Sequence, residues 1–99
     1  MKILAVTACP TGVVNTYMAA EALKKACKKF GLKIKVETQG SIGIENKITK
    51  NDTLDADAVI LTKDIPIKNK ERFKDLPIIK VSVSDAIKKA ESIIKKIKK

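Results

Sequence analysis

Four short apolar or alternating runs, each set apart from the next by a helix-like stretch or a loop, dictate most of what this chain can fold into. They are Ile3–Thr7 (ILAVT), Lys33–Thr38 (KIKVET), Ala56–Thr62 (ADAVILT) and Ile78–Val81 (IIKV). The first and third are almost wholly apolar, as strands buried on both faces of a parallel sheet must be. The second alternates, with Ile34 and Val36 on its apolar side. Strands interleaved with helices imply a parallel sheet with right-handed crossovers. The expected order is βαβαβαβα: an α/β fold, one doubly wound domain with helices on both faces of a four-stranded parallel sheet. Ligands of such sheets collect outside the carboxyl ends of the strands.

From Val13 the period becomes helical. Val14, Met18, Ala22 and Ala26 recur at i+4, Leu23 and Phe30 extend the stripe, and Lys24, Lys25, Lys28 and Lys29 take the other side. Gly31 is placed to stop this helix. Gln39–Gly43 reads as a loop and Ile44–Lys50 as a short helix, and Thr49 to Asp52 carry capping side chains. Lys70–Lys74 has room for one helical turn. Ser84 is the expected cap of a last helix with Ile87, Ala90, Ile93, Ile94 and Ile97 on one face. The Lys95–Lys99 tail is a helix end whose charge suits the dipole. There is no repeat, linker or low-complexity segment, and 99 residues suit a single domain over 1–99.

Composition narrows the classes. No apolar run approaches the ~20 residues of a membrane span. The run Ile3–Ala8 before Cys9 is shorter than the ~7–15 residues of a signal core, so a cytoplasmic location is expected. Two cysteines and no histidine leave a zinc site short of ligands, so no metal is expected. Cys9 and Cys27 would lie roughly 20 Å apart along a helix, too far for a bridge. Net charge is +10, and 20 of the 21 basic residues are Lys, with Arg72 the one Arg. Such a surface suits an acidic protein partner or is simply solvated. A nucleic-acid module remains an alternative, but with only Tyr17, Phe30 and Phe73 as aromatics, stacking on bases is poorly served and no nucleic acid is expected.

Cys9 ends the first apolar run, and Pro10, Thr11 and Gly12 follow before the helix begins. The free N–H groups of Thr11 to about Asn15 would point into this loop and form an anion site. The same positive end lowers a thiol pKa from ~8.5. A thiolate facing a phosphate cradle is a nucleophile for phosphoryl groups. Gly12 lets the backbone approach, Thr11 and Thr16 add hydroxyls, and Pro10 stiffens the loop. The alternative is a small cysteine that merely packs before a turn. Cys27, within the helix, is read as packing.

The segment ACPTGVVNTYMAAEAL, Ala8 to Leu23, resembles the active-site segment of the fructose-type IIB proteins of the bacterial phosphoenolpyruvate-dependent sugar phosphotransferase system, which commonly read C-P-T-G-x-A-H-T-[FY]-M-A-A-E. VETQGSIGIEN, Val36–Asn46, resembles the family's second signature, and ADAVILTKDI, Ala56–Ile65, its third strand and following loop. The resemblance runs through essentially the whole chain. It implies strand order 2-1-3-4. It also implies that Cys9 takes a phosphoryl group from a phosphohistidine on a IIA protein and passes it to a sugar, fructose or a relative, held by the membrane IIC component. Pro10, Thr11, Gly12, Val13, Val14, Asn15 and Thr16 would surround the phosphate. No cofactor is implied.

Asn15 stands where that family usually has His. Asn donates hydrogen bonds but never carries charge. Its expected role is that of a neutral donor; a slow, specialised or degenerate carrier is the alternative. Cys9 and Asn15 also have the C-x5 spacing of tyrosine phosphatases, but those place Arg at the last position to clamp phosphate. A phosphatase or arsenate-reductase-like thiol enzyme is therefore the competing activity, and the missing Arg counts against it. Gln39, Gly40, Ser41 and Gly43 follow the second strand and so edge the same site or simply form a tight turn. Asp64, after the third strand, faces the same edge or an exposed loop. Glu37 is expected on the strand surface.

Overall fold

The ILAVTA run becomes the middle of the sheet. β1 (Lys2–Ala8) is buried from Ile3 to Ala8 because strands pair on both of its edges. The computed structural model describes residues 1–9, 13–40 and 43–98. The remaining elements are α1 (Val13–Lys29), β2 (Lys33–Gly40), β3 (Gly43–Glu45), α2 (Lys50–Leu54), β4 (Ala58–Thr62), a 3₁₀ helix (Lys70–Phe73), β5 (Ile78–Val81), α3 (Val83–Lys88) and α4 (Ala90–Lys98).

The sheet order is β3-β2-β1-β4-β5. Four strands run parallel, with Ile3 level with Ile34 and Ala58, and Val59 level with Ile78. Those four keep the expected 2-1-3-4 order, but the sheet has five strands. The fifth, β3, pairs antiparallel with β2 through Thr38–Glu45, Gln39–Ile44 and Gly40–Gly43. The expected short helix over Ile44–Lys50 is thus replaced by a hairpin edge. Gly43 enters β3 at φ +106°, which favours glycine, and Asn46 leaves it at φ +54° in the left-handed region.

The two faces are covered differently. Against one pack α1, α3 and α4, closing a core of Ile3, Ala5, Leu23, Val36, Ile60 and Ile94. Against the other, Leu4, Val6, Val59 and Leu61 meet Ile48, Ile67 and Phe73, which come from connecting segments and the 3₁₀ helix. The expectation of helices on both faces is met only by short elements on that second side.

The buried row of α1 is Ala19, Ala20, Leu23, Ala26 and Cys27, small residues that let the helix lie close to the strands. Val14 and Met18, expected inside, are 70% and 48% exposed. Gly31 does end the segment in the left-handed conformation, and Leu32 N–H donates to Cys27 C=O at 2.8 Å. Thr49 caps α2 in a reciprocal box with Asp52. The last helix is two: Ser82, not Ser84, caps α3, the chain leaves helical geometry at Lys89, and α4 follows.

Candidate functional site around Cys9

Both central strands carry a threonine at or next to their carboxyl end, Thr7 in β1 and Thr62 in β4, and those threonines prepare the ground for Cys9. The ladder between β1 and β4 ends at Val6–Leu61. Beyond it the Thr62 hydroxyl accepts from Ala8 N–H at 2.9 Å and donates to Ala8 C=O at 3.2 Å. On the other face the Thr7 hydroxyl donates to Thr16 C=O at 3.1 Å, tying the first turn of α1 to β1. On its third side Ala8 registers with Gln39 of β2. The residue before Cys9 is therefore held from both neighbouring strands. Neither Thr7 nor Thr62 was expected at the site; the signal was the shared ending of ILAVT and AVILT.

Cys9 emerges half-buried at the carboxyl end of β1, with its thiol free of any disulfide. Asn15 Nδ2 lies 3.9 Å from Cys9 Sγ, a long contact to the polarizable sulfur. Thr16 is buried, whereas Val14, Tyr17 and Met18 of the same turns are exposed. Tyr17 Oη donates to a Glu45 carboxylate oxygen and joins α1 to β3. Of the expected phosphate loop, Asn15 is thus brought beside Cys9, while Thr16 is tied to Thr7. Pro10, Thr11 and Gly12 lie outside the described residues, as do the side chain of Val13 and the whole of Ser41.

The second signature holds the largest correction. Glu37, expected on the strand surface, has no exposure at all. Its carboxylate meets the Arg72 guanidinium in a two-pronged pair, 2.6 Å from Nη1 and 2.7 Å from Nη2. Burial alone pushes the Glu37 carboxyl up; hydrogen bonds from Arg72, Gln39 and Ile48 N–H outweigh it and hold the carboxyl below its usual range. Gln39 is also buried, and its amide clasps the backbone of Lys68, accepting from N–H at 2.9 Å and donating to C=O at 3.1 Å. The polar side of β2 thus faces the segments that cover the second face of the sheet. Asp64 sits on an exposed loop, and its Oδ1 accepts from Val83 N–H at 2.8 Å at the start of α3.

The same polar row includes Lys35, whose Nζ lies 2.7 Å from Asp52. That bond, followed by the Thr49 N–H, holds the Asp52 carboxyl well below the usual carboxylate range. A carboxyl whose folded pKa is depressed contributes stability above its unfolded value near ~3.9 and loses it as pH falls through the folded value. Thermal melts should therefore show Tm falling as pH drops below about 4, with a shallower fall in Asp52→Asn. Equal slopes would show that the Lys35–Asp52 contact contributes nothing.

Cys27 is fully buried under α1, and burial pushes its thiol up to about 11. It is packing, as expected. Among the described residues no Cys, Asp and Glu side chains gather in threes as a metal site. No helix among them is long and apolar enough to cross a membrane. A groove lined by Met1, Asp57, Pro77, Ile93 and Ile97 opens at the amino ends of the strands, opposite Cys9. A smaller one at the carboxyl end of β4 is rimmed by Lys63, Lys70 and Lys80.

Residues 4–96 match the family described as the lactose/cellobiose-specific IIB subunit of the PTS system. The chain is 60% identical over 96 residues to the PTS system fructose-like EIIB component 2 of Escherichia coli K12, covering 97% of this chain and 91% of that one. It is 47% identical over 95 residues to the PTS system fructose-specific EIIABC component of Bacillus subtilis, covering 96% of this chain and 15% of that longer protein. A crystal structure of a domain from the fructose-specific IIABC component of Borrelia burgdorferi superimposes with a TM-score of 0.91 at 49% identity, over 97% of this chain and 91% of the other. The family description alone would point toward lactose or cellobiose, whereas these relatives carry fructose in their names. The chain belongs to the IIB family of sugar phosphotransferase components, and within it to the fructose-like kind.

Proposed function

We propose that Cys9 is a phosphoryl carrier. Its thiolate attacks the phosphorus of a phosphohistidine on a IIA protein; the S–P bond forms, the P–N bond breaks and the histidine leaves as neutral imidazole, its ring having taken a proton from solvent. A sugar hydroxyl, held by a IIC membrane component, then attacks the same phosphorus. The S–P bond breaks, the thiolate is regenerated and the hydroxyl proton passes to solvent. The observation that carries this reading is the placement of Cys9: half-exposed at the carboxyl end of the central strand, with an Asn15 donor beside its sulfur. The loop Pro10–Thr16 surrounds the phosphoryl group, and Gln39, Gly40, Ser41 and Asp64 edge the site. Donors are what this transfer needs, because the charge it handles is spread over phosphoryl oxygens. No cofactor enters any step.

The whole chain, 1–99, acts as this one carrier domain. Its counterpart of 47% identity within an EIIABC component supports IIA and IIC as the partners. The sugar is fructose or a relative by the names of its relatives. The chain works in the cytoplasm and meets the inner face of the membrane through IIC.

Arg72 bears on the competing thiol-phosphatase activity. Hydrolysis through phosphocysteine benefits from an arginine clamp. The one arginine of this chain is spent on Glu37 and on the carbonyls of Ile48 and Asn69. A phosphocysteine without that clamp survives until an acceptor arrives.

The test is intact-mass spectrometry after mixing with a fructose-type IIA protein phosphorylated on histidine. One added phosphoryl group, mapped to the Cys9 peptide, is expected. Asn15→His should take it up faster, by roughly threefold to tenfold, if a charged donor adds about 1 kcal/mol of stabilisation. No added mass in either chain would sink the carrier reading.

A further inference from the structure

Glu37 is not called for by the transfer chemistry, yet each of its oxygens is used twice. Oε1 accepts from Ile48 N–H at 2.8 Å and Arg72 Nη1 at 2.6 Å. Oε2 accepts from Gln39 Nε2 at 2.8 Å and Arg72 Nη2 at 2.7 Å. Gln39 and Ile48, both buried, flank the exposed β3 excursion on either side. A single buried carboxylate therefore bonds both the residue before the β3 excursion and the residue after it.

The excursion needs such anchoring. All three residues of β3 are exposed, so burial contributes little to holding it. Among the described residues its other side-chain ties include Tyr17 to Glu45, and Asn46 Nδ2 to Val36 C=O at 3.0 Å. It also starts beside the cysteine. Gln39 registers with Ala8, and one residue further along each chain stand Gly40 and Cys9.

Arg72 completes the case. A chain that uses Lys at 20 of 21 basic positions has Arg here. Lys would serve on an open surface, but a buried carboxylate that must be gripped at both oxygens needs the planar guanidinium fork. Arg72 Nη1 also reaches Ile48 C=O at 2.7 Å and Nε reaches Asn69 C=O at 2.8 Å, so the fork ties the 3₁₀ helix to the exit of the excursion.

We infer that Glu37, Arg72 and Gln39 are positioning residues for phosphoryl transfer: they fix the Gly43–Asn46 excursion against β2 beside the cysteine strand and so set the wall beside which donor and acceptor meet the thiol. The inference rests on the carrier reading for its reaction, but its geometry can be tested apart from it.

The variants are Gln39→Met, which removes the entry anchor while leaving the Glu37–Arg72 pair, and Glu37→Gln. Ile94→Val, in the core under the helices, serves as a stability control. Each is used at a temperature where its own melt shows it fully folded; should Glu37→Gln fail to fold, Gln39→Met carries the test. Two rates are measured: phosphoryl uptake from a phosphorylated fructose-type IIA protein across donor concentration, and alkylation of Cys9 by iodoacetamide across pH, located by peptide mass. Gln39→Met is expected to lower the saturating uptake rate about tenfold. Its half-saturating donor concentration should move by less than about twofold, and its alkylation profile should shift. Ile94→Val should leave both measurements native. Native saturating uptake and a native alkylation profile in folded Gln39→Met would overturn the inference. If the unaltered chain takes up no phosphoryl group, the carrier reading fails alone; alkylation then decides, a shift in Gln39→Met but not in Ile94→Val supporting the positioning role and no shift overturning it.

Discussion

In Cys9→Ser the added phosphoryl mass is expected to vanish, with uptake slowed on the order of 10³-fold or more, the scale reached when an enzyme loses its nucleophile. The reason is acidity. A thiol near its usual pKa is already a few per cent thiolate at neutral pH, and a serine hydroxyl without a base beside it is not activated at all. The fold should hardly notice, since sulfur is exchanged for oxygen at a half-buried strand end. A circular dichroism melt within a few degrees of the native chain would establish that the loss is chemical. Cys27→Ala is the matching comparison: its thiol is buried and pushed up to about 11, so full uptake is expected at Cys9. Because the chain has no histidine, no phosphohistidine of its own can mimic the signal. Normal uptake by Cys9→Ser would move the acceptor elsewhere.

Glu37→Ala carries the largest expected cost in stability, about 3–5 kcal/mol. It strands a guanidinium that is only 14% exposed and removes the acceptor of the Ile48 N–H. For a chain of about this length that corresponds to a Tm lower by roughly 12–25 °C, read by thermal or urea unfolding. Arg72→Lys should also destabilise, by about 2 kcal/mol, because one ammonium cannot grip both carboxylate oxygens. The double variant Glu37→Leu, Arg72→Leu should recover part of the loss, since it leaves no lone charge. A Glu37→Ala chain as stable as the native one would show that the pair contributes nothing to holding the 3₁₀ helix on the sheet.

What the sequence determined by itself was whatever depends on neighbours along the chain. The runs at Ile3 and Ala56 announce buried strands because a parallel sheet covered on both faces leaves no polar side, and the run at Ile78 announces one more strand. The period after Val13 announces α1, and Gly31 its end. The place of Cys9, after the central strand and before a helix, follows from those two facts together. The structure decided the rest through contacts between distant residues. β3 has three exposed residues and no pattern of its own; it exists because β2 offers a free edge and because Gly43 and Asn46 can adopt positive φ. Val14 and Met18 fit the helical period, but the close approach of Ala19, Ala20 and Ala26 to the strands turned them outward. Glu37 shows the limit most clearly. Strand alternation tells which side of β2 is polar, not what will lie against it. Arg72, 35 residues away, comes to that side only once the chain has crossed the sheet, and a carboxylate that local pattern assigns to solvent becomes a buried anchor.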